Sequence, residues 1–158
     1  MLTFRKVDKK NAVEIMSLDG GKDYEKHCAC PATILYDAIK EDTIDNVKAI
    51  YLDNKLIGVV HYFIMKFRKD KKTHNKAWIN RLLIHKTYQN KGYGKKVFEK
   101  LRNMLVKKYS IKRIEVSISN PILLKVLEKY GFKKLTTKRG LNHYQKHKEY
   151  IFVLELHI

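Results

Sequence analysis

The segment of this sequence best suited to chemistry is Gln89-Asn90-Lys91-Gly92-Tyr93-Gly94-Lys95-Lys96. Two glycines separated by one residue allow a tight turn and let a ligand approach the backbone closely. The apolar pattern that follows predicts a helix, whose first N–H groups and dipole favour an anion. The lysines of the segment add positive charge. The segment therefore predicts a site for a diphosphate group.

Spacing distinguishes this loop from other phosphate-binding loops. A Walker loop requires Gly-x4-Gly-Lys-Ser/Thr, which the sequence lacks, and a dinucleotide-binding loop requires a third glycine where Val97 stands. Taken alone, two glycines before a helix also fit a plain glycine turn, and this alternative stays open.

The elements around the loop predict how it is positioned. Strands are predicted at Leu2–Val7, Val47–Leu52, Leu56–Phe67, Ala77–His85, Lys112–Ile118, Lys133–Lys138 and Tyr150–Leu156. Helices are predicted at Asn11–Leu18, at Pro31–Glu41 with Ile34, Leu35, Ala38 and Ile39 on one apolar face, at Lys95–Lys108, and from Pro121 to a stop at Gly131. The order β-α-α-β-β-β-α-β-α-β-β predicts a mixed α/β fold, in which the loop joins a strand to a helix.

Length and composition limit the class of protein. The 158 residues predict one domain, residues 1–158, and the 44% of hydrophobic residues suffices for a core. No apolar run approaches the roughly 18 residues of a membrane span, and the N-terminus lacks the apolar segment of a signal peptide. The sequence therefore predicts a cytoplasmic protein without a membrane partner. Cys28 and Cys30 have no second cysteine pair, so no metal site is predicted.

The formal net charge of +18 would attract anions such as nucleic acid or phosphorylated cofactors. Lysines are spread along the whole chain, which is typical of a solvated surface. There is no aromatic motif of the RNP type, zinc knuckle or arginine cluster. The charge therefore leaves nucleic acid open as a partner without favouring it.

Three motifs together resemble the GNAT acetyltransferase superfamily. Gln-x-x-Gly-x-Gly at residues 89–94 resembles its loop for the pyrophosphate of acetyl-CoA, and Leu82–Gln89 resembles the strand that enters this loop. Asn120 to Gly131-Phe132 resembles its Asn-x10-Gly-Phe helix. The resemblance implies a mixed, mainly antiparallel seven-stranded sheet flanked by helices, with a splay between strands 4 and 5.

The resemblance also implies an acetyl-CoA-dependent N-acetyltransferase, in which a primary amine attacks the acetyl thioester directly. Acetyl-CoA would be a co-substrate, and no metal is implied. The family pattern assigns cofactor binding to Leu83 and Ile84 through their backbone, to the loop residues Gln89, Asn90, Lys91, Gly92, Tyr93, Gly94 and Lys95, and to Asn120 beside the pantetheine arm.

Within the superfamily, the sequence is most similar to bacterial spermine/spermidine acetyltransferases, through Trp78-Ile79-Asn80-Arg81 and Lys112-Arg113-Ile114. This implies a small-molecule amine as substrate, with a polyamine as one member of the class, although a charge of +18 would repel a polycation at long range. A weaker similarity to ribosomal-protein alanine N-acetyltransferases, through Arg113–Val116 and Asn142-His143-Tyr144, keeps a protein N-terminus or an aminoacyl-tRNA amine open. A third hypothesis is a CoA-binding or nucleic-acid-binding module without catalysis. Dimers are common in the superfamily, so a homodimer stays open.

The expected catalytic side chains depart from the family pattern. Polyamine acetyltransferases commonly carry a carboxylate where this chain has Asn80, and their usual tyrosine acid is Leu127 here. An amide can orient a water but cannot accept a proton at neutral pH. Glu115 is then the best remaining base, with a solvent-facing strand position as the alternative. Tyr130 is a candidate acid, with a core aromatic as the alternative, and His85 is a further candidate base.

Overall fold

The computed structural model describes residues 1–22, 24, 28–65, 75–118, 121–141 and 148–156. Within these residues, seven strands form one sheet in the order β1-β2-β3-β4-β5-β7-β6. The strands are β1 Leu2–Lys6, β2 Val47–Leu52, β3 Lys55–Met65, β4 Lys76–Ile84, β5 Arg113–Ile118, β6 Lys133–Leu141 and β7 Lys148–Glu155. The helices are α1 Lys9–Met16, α2 Pro31–Lys40, α3 Tyr93–Tyr109 and α4 Pro121–Lys129, with short 3-10 turns at Ile44–Asn46 and Lys86–Tyr88.

Most strand pairs are antiparallel, and β4 with β5 is a parallel pair. The predicted element order and the mixed, mainly antiparallel seven-stranded sheet are therefore confirmed. The parallel register runs from Lys76 opposite Arg113 to Ile79 opposite Val116. β4 continues beyond this register to Ile84, which is where the splay is predicted.

Local caps explain where two of the helices begin and end. Asp8 Oδ1 accepts a hydrogen bond from Asn11 N, and Asn11 Oδ1 accepts one from Asp8 N, both at 2.9 Å, so these residues form a capping box before α1. After α4, Gly131 has a φ of 83°, and Phe132 N donates to Leu127 O at 3.1 Å. This is the Schellman arrangement that glycine favours, so the predicted stop at Gly131 is confirmed.

One prediction for α2 is wrong. Ile34, Leu35 and Ala38 are buried as predicted, but Ile39 is 67% exposed. At about 100° per residue, Ile34, Ala38 and Leu35 span an arc of about 100°, and Ile39 lies about 40° beyond the Leu35 edge of that arc, so it leaves the buried face.

The chain divides into two compact units, Met1–Phe63 with Asn80–Asn103 and Ile64–Ile79 with Met104–Ile158. The core of the first unit joins α1 and α2 to its strands through Ile15, Leu18, Ile34, Leu35, Ala38, Val47, Ala49, Tyr51, Val59 and Leu83. The second unit buries Ala77, Ile79, Ile111, Ile114, Phe132, Ile151, Phe152 and Val153. The single domain over residues 1–158 stays a prediction. No helix in the described part of the chain is long and apolar enough to span a membrane.

Candidate active site

The predicted diphosphate loop lies in the first unit, between the end of β4 and the start of α3. Asn90 and Gly92 have positive φ angles of 58° and 78°. These angles turn the chain into α3, which begins at Tyr93, two residues before the predicted Lys95. The first main-chain hydrogen bond into the helix runs from Lys96 N to Gly92 O at 3.3 Å. The N–H groups of residues 93–95 precede this bond, so they are available to an anion.

The two glycines of the loop border open space. A Cβ added to Gly92 or to Gly94 would meet no other part of the described chain within 4 Å. The positive φ of Gly92 explains its residue type. Gly94 is the second residue of α3 and has no positive φ, so backbone conformation does not require glycine at this position. Close approach of a ligand to the helix amides would explain it, so the loop fits a diphosphate group, and its contact with CoA stays a prediction.

Cations surround the loop. Lys91 is exposed, and Lys95 is exposed with a long ion pair to Glu99 at 3.9 Å. Lys96 Nζ lies 5.7 Å from the centre of the Tyr93 ring. The positive charges are therefore held near the start of α3 without tight pairing to a carboxylate, and they add to the attraction that the helix dipole exerts on an anion.

Gln89 supports the loop through its side chain. Its Nε2 donates to Ile84 O at 2.7 Å and to Gly20 O at 2.9 Å. A second tether joins Lys86 to Asp19, through Lys86 N donating to Asp19 O at 2.7 Å and an ion pair at 2.6 Å. The Lys86 side chain holds the pKa of Asp19 below its ordinary value. The loop is therefore fastened to the segment after α1, while direct contact of Gln89 with the cofactor stays a prediction.

We expect the substitution Gln89→Glu to weaken CoA binding by about tenfold, because a carboxylate has no proton to donate to the two carbonyl groups. Isothermal titration of the purified protein with CoA would measure this. The matched control is Gln89→Met, which has a similar size but neither charge nor an N–H donor, so a similar loss in this variant would assign the effect to the tether rather than to the added negative charge. Equal affinities of the Glu variant and the wild type would show that the tether does not shape the loop.

Comparison with known proteins identifies the family. The sequence model of the Acetyltransferase (GNAT) family matches residues 13–132, about three quarters of the chain. This chain belongs to the GNAT acetyltransferase family. It is an acetyl-CoA-dependent N-acetyltransferase, as the resemblance implied.

Relatives and solved structures agree with this assignment. The chain is 26% identical to the spermine/spermidine N(1)-acetyltransferase of Bacillus subtilis strain 168 over 133 residues, which cover 83% of this chain and 87% of the relative. A spermidine N-acetyltransferase chimera from Vibrio cholerae has a TM-score of 0.73 at 15% identity, covering 98% of this chain and 95% of that one. The ribosomal-protein-S18-alanine N-acetyltransferase of Escherichia coli has a TM-score of 0.69 at 14% identity, covering 100% and 96%. At these identities, the two structures show the shared fold alone.

The acetyltransferase also contains a functional candidate that sequence analysis missed, the fully buried His61 on β3. Its Nε2 lies 3.0 Å from Thr43 Oγ1, and its Nδ1 lies 3.2 Å from Asn80 Nδ2. Burial, together with the nearby Arg81 guanidinium, lowers the pKa of His61 to about 4. The sequence does place a histidine in the middle of an apolar strand, and this could have marked His61, because a buried histidine requires hydrogen-bond partners.

Acid should destabilise the enzyme through His61. The unfolded chain protonates this histidine below about pH 6.5, whereas the folded protein does so only below about pH 4. Between these values the unfolded state binds more protons, so stability falls as the pH falls. We expect this group to lower the free energy of unfolding by about 2 kcal/mol from pH 7 to pH 5. Urea unfolding at both pH values, on wild type and His61→Gln, isolates this contribution; identical pH dependence in the two proteins would contradict it.

Glu115, the predicted base, lies on β5 in the second unit and is buried, with 8% of its side chain exposed. The alternative of a solvent-facing position is therefore wrong. Lys76 Nζ lies 3.1 and 3.3 Å from its two carboxylate oxygens, and Arg113 Nε lies 2.9 Å from Oε1. Arg113 also pairs with Glu155 at 3.2 Å. An incoming amine would have to displace a cation, so a structural role is supported, and the role of base stays a prediction.

The remaining predicted residues are placed as follows. Tyr130 is half-buried, one residue beyond the end of α4 in the second unit, and its role as acid stays a prediction. His85 Nδ1 accepts a hydrogen bond from Thr87 N at 3.3 Å and so caps the 3-10 turn. Asn120 lies outside the described residues. Among the residues that the structure describes, no group of three or more histidine, cysteine or acidic side chains could hold a metal ion.

Proposed function

We propose that this acetyltransferase modifies a primary amine of a small molecule, with polyamines as the first class to test. The observation that carries the proposal is the 26% identity, over most of both chains, to a relative named as a spermine/spermidine N(1)-acetyltransferase. The positions that differ from the family pattern, above all Asn80, concern how the amine is held and deprotonated rather than which cofactor is used.

The reaction joins the amine nitrogen to the acetyl carbon and releases the thiol. As the free base, the amine attacks the acetyl carbon, so the C–N bond forms and the C–S bond breaks with its electron pair on the sulfur. The proton that the nitrogen then loses goes to water, and the thiolate takes up a proton from water. Acetyl-CoA, when bound, supplies an acetyl group activated as a thioester. The N–H groups at the start of α3 would hold its diphosphate, with the lysines of the loop around it. Asn80 would lie beside the amine, as the family position implies.

Deprotonation of the amine is the step that this chain must arrange differently from its relatives. An ammonium has no lone pair, so the amine must react as the free base. The Asn80 amide cannot take the proton, and the carboxylate of Glu115 already forms ion pairs with Lys76 and Arg113. We infer that water removes the proton, and that activity rises with pH as more of the amine is in its free-base form.

No specific observation favours acetylation of a protein N-terminus or an aminoacyl-tRNA. The structural similarity to the ribosomal-protein enzyme shows the fold alone. Of the two segments on which the sequence similarity rested, Arg113–Val116 lies on β5, and residues 142–144 lie outside the described residues. A homodimer stays open, a nucleic acid partner stays open without being favoured, and a cytoplasmic location stays a prediction.

The proposal is tested by incubating the purified enzyme with acetyl-CoA and a panel of amines. The panel contains spermine, spermidine, single amino acids, an aminoglycoside and peptides with an N-terminal alanine, and release of free thiol is followed together with product mass. Each amine has a matched control in which its nitrogen is already acetylated. We expect turnover with small amines and little with peptides. Faster turnover of the peptides, or binding of CoA without turnover of any amine, would overturn the proposal.

A further inference from the structure

A short polar chain crosses the core of the first unit. It runs from Thr43, before the 3-10 turn at Ile44–Asn46, through His61 on β3 to Asn80 on β4, with contacts of 3.0 and 3.2 Å. His61 has no exposed surface, and Asn80 is half-buried. A buried chain of this kind restricts each member to one arrangement of donors and acceptors.

The positions of the hydrogen atoms follow from the outer partners. The Thr43 hydroxyl donates to Ala38 O at 3.3 Å, so Thr43 Oγ1 accepts from His61 Nε2. His61 Nδ1 then carries a lone pair and accepts from Asn80 Nδ2. Arg81 independently requires the same amide orientation, because its Nη1, which can only donate, lies 3.4 Å from Asn80 Oδ1.

We propose that His61 is a positioning residue, which holds the Asn80 amide with its Oδ1 carbonyl oxygen turned toward the acceptor amine. The inference rests on the proposed function, because it takes Asn80 as the side chain beside that amine. Oδ1 has two lone pairs, and the weak contact with Arg81 leaves capacity for an N–H of the substrate. With Nδ2 turned toward the amine instead, the amide would present N–H donors, which would bind the amine lone pair that must attack the acetyl carbon.

The charge around this chain favours the same chemistry. Among the described residues, Arg81 on β4 and Asp37 on α2 act on His61, with opposite effects on its protonation. Arg81 forms hydrogen bonds to Asn80 O at 2.9 Å and, more weakly, to Asn80 Oδ1, so a positive charge lies directly beside the amide. A positive charge disfavours an ammonium at this position relative to the free amine. Asn80 and Arg81 would therefore together hold the neutral, nucleophilic form of the substrate.

Two variants of His61 separate this role from general packing. His61→Asn keeps an oxygen that can accept from Asn80 Nδ2, whereas His61→Leu removes it. With the best amine of the panel, we expect His61→Leu to lower kcat/KM about tenfold, the value of one hydrogen bond, and His61→Asn to restore most of it. The KM for acetyl-CoA should stay unchanged in both. A further readout is the nitrogen NMR spectrum of enzyme labelled in histidine, which should show the Nε2–H tautomer of His61.

The outcomes distinguish the two proposals. If wild type acetylates no amine, the proposed function fails and this inference fails with it. If wild type is active but His61→Leu keeps kcat/KM within twofold, or loses acetyl-CoA affinity to the same extent, only the positioning role is refuted. An Nδ1–H tautomer would also refute it, whatever the substrate. If both variants lose the same activity, His61 contributes only to packing.

Discussion

The substitution Gly94→Ala should abolish most CoA binding while leaving the fold intact or slightly more stable. The added methyl group meets no other part of the described chain within 4 Å, so it fits the free protein. It would occupy the space through which a diphosphate reaches the amides at the start of α3. Losing two charge-assisted hydrogen bonds of this kind would cost about 3 kcal/mol, or roughly a 100-fold rise in Kd.

Calorimetric titration with CoA and thermal unfolding of the same samples check both parts of this prediction. Alanine is the better helix former, so the Tm should not fall. The matched control is Gly92→Ala, which must adopt a φ of 78° and should therefore lose stability as well as affinity. Unchanged CoA affinity in Gly94→Ala would show that the diphosphate does not lie against this turn of the helix.

The substitution Glu115→Gln should destabilise the second unit by about 3 kcal/mol, because it leaves Lys76 and Arg113 without the buried charge that separates them. Glutamine keeps the size of the side chain, so the loss would come from charge rather than from a cavity. If the carboxylate serves only the structure, kcat of the folded enzyme should change less than threefold.

Chemical unfolding and steady-state kinetics on the same variant decide between structure and catalysis. A general base contributes about 100-fold or more to the rate. If Glu115 were the base, its replacement by glutamine would therefore lower kcat by that factor with little change in stability. The matched control is Glu155→Gln, the exposed partner of Arg113, which should cost less than about 1 kcal/mol. A loss of kcat with unchanged stability would restore Glu115 as the base.

Local signals in the sequence predicted the fold closely. Gly92 before α3 and Gly131 after α4 have positive φ angles that favour glycine, and both lie at the predicted turns. Strand and helix order followed from apolar periodicity. The boundaries moved by a few residues, as at Tyr93, where the turn at Asn90 and Gly92 leads into α3. Ile39 left the apolar face because periodicity does not say how wide a buried face is.

The sequence by itself determined the family and the glycine turn at the start of α3, because such a turn depends on neighbouring residues only; that this turn binds the cofactor stays a prediction. It did not determine the surroundings of Glu115 or the pairing of His61 with Asn80. Those depend on partners 39 and 19 residues away, which only the assembled sheet brings into contact. A carboxylate or a histidine has the same identity on a surface and in a core, and its chemistry follows from which charges and donors the tertiary structure places against it.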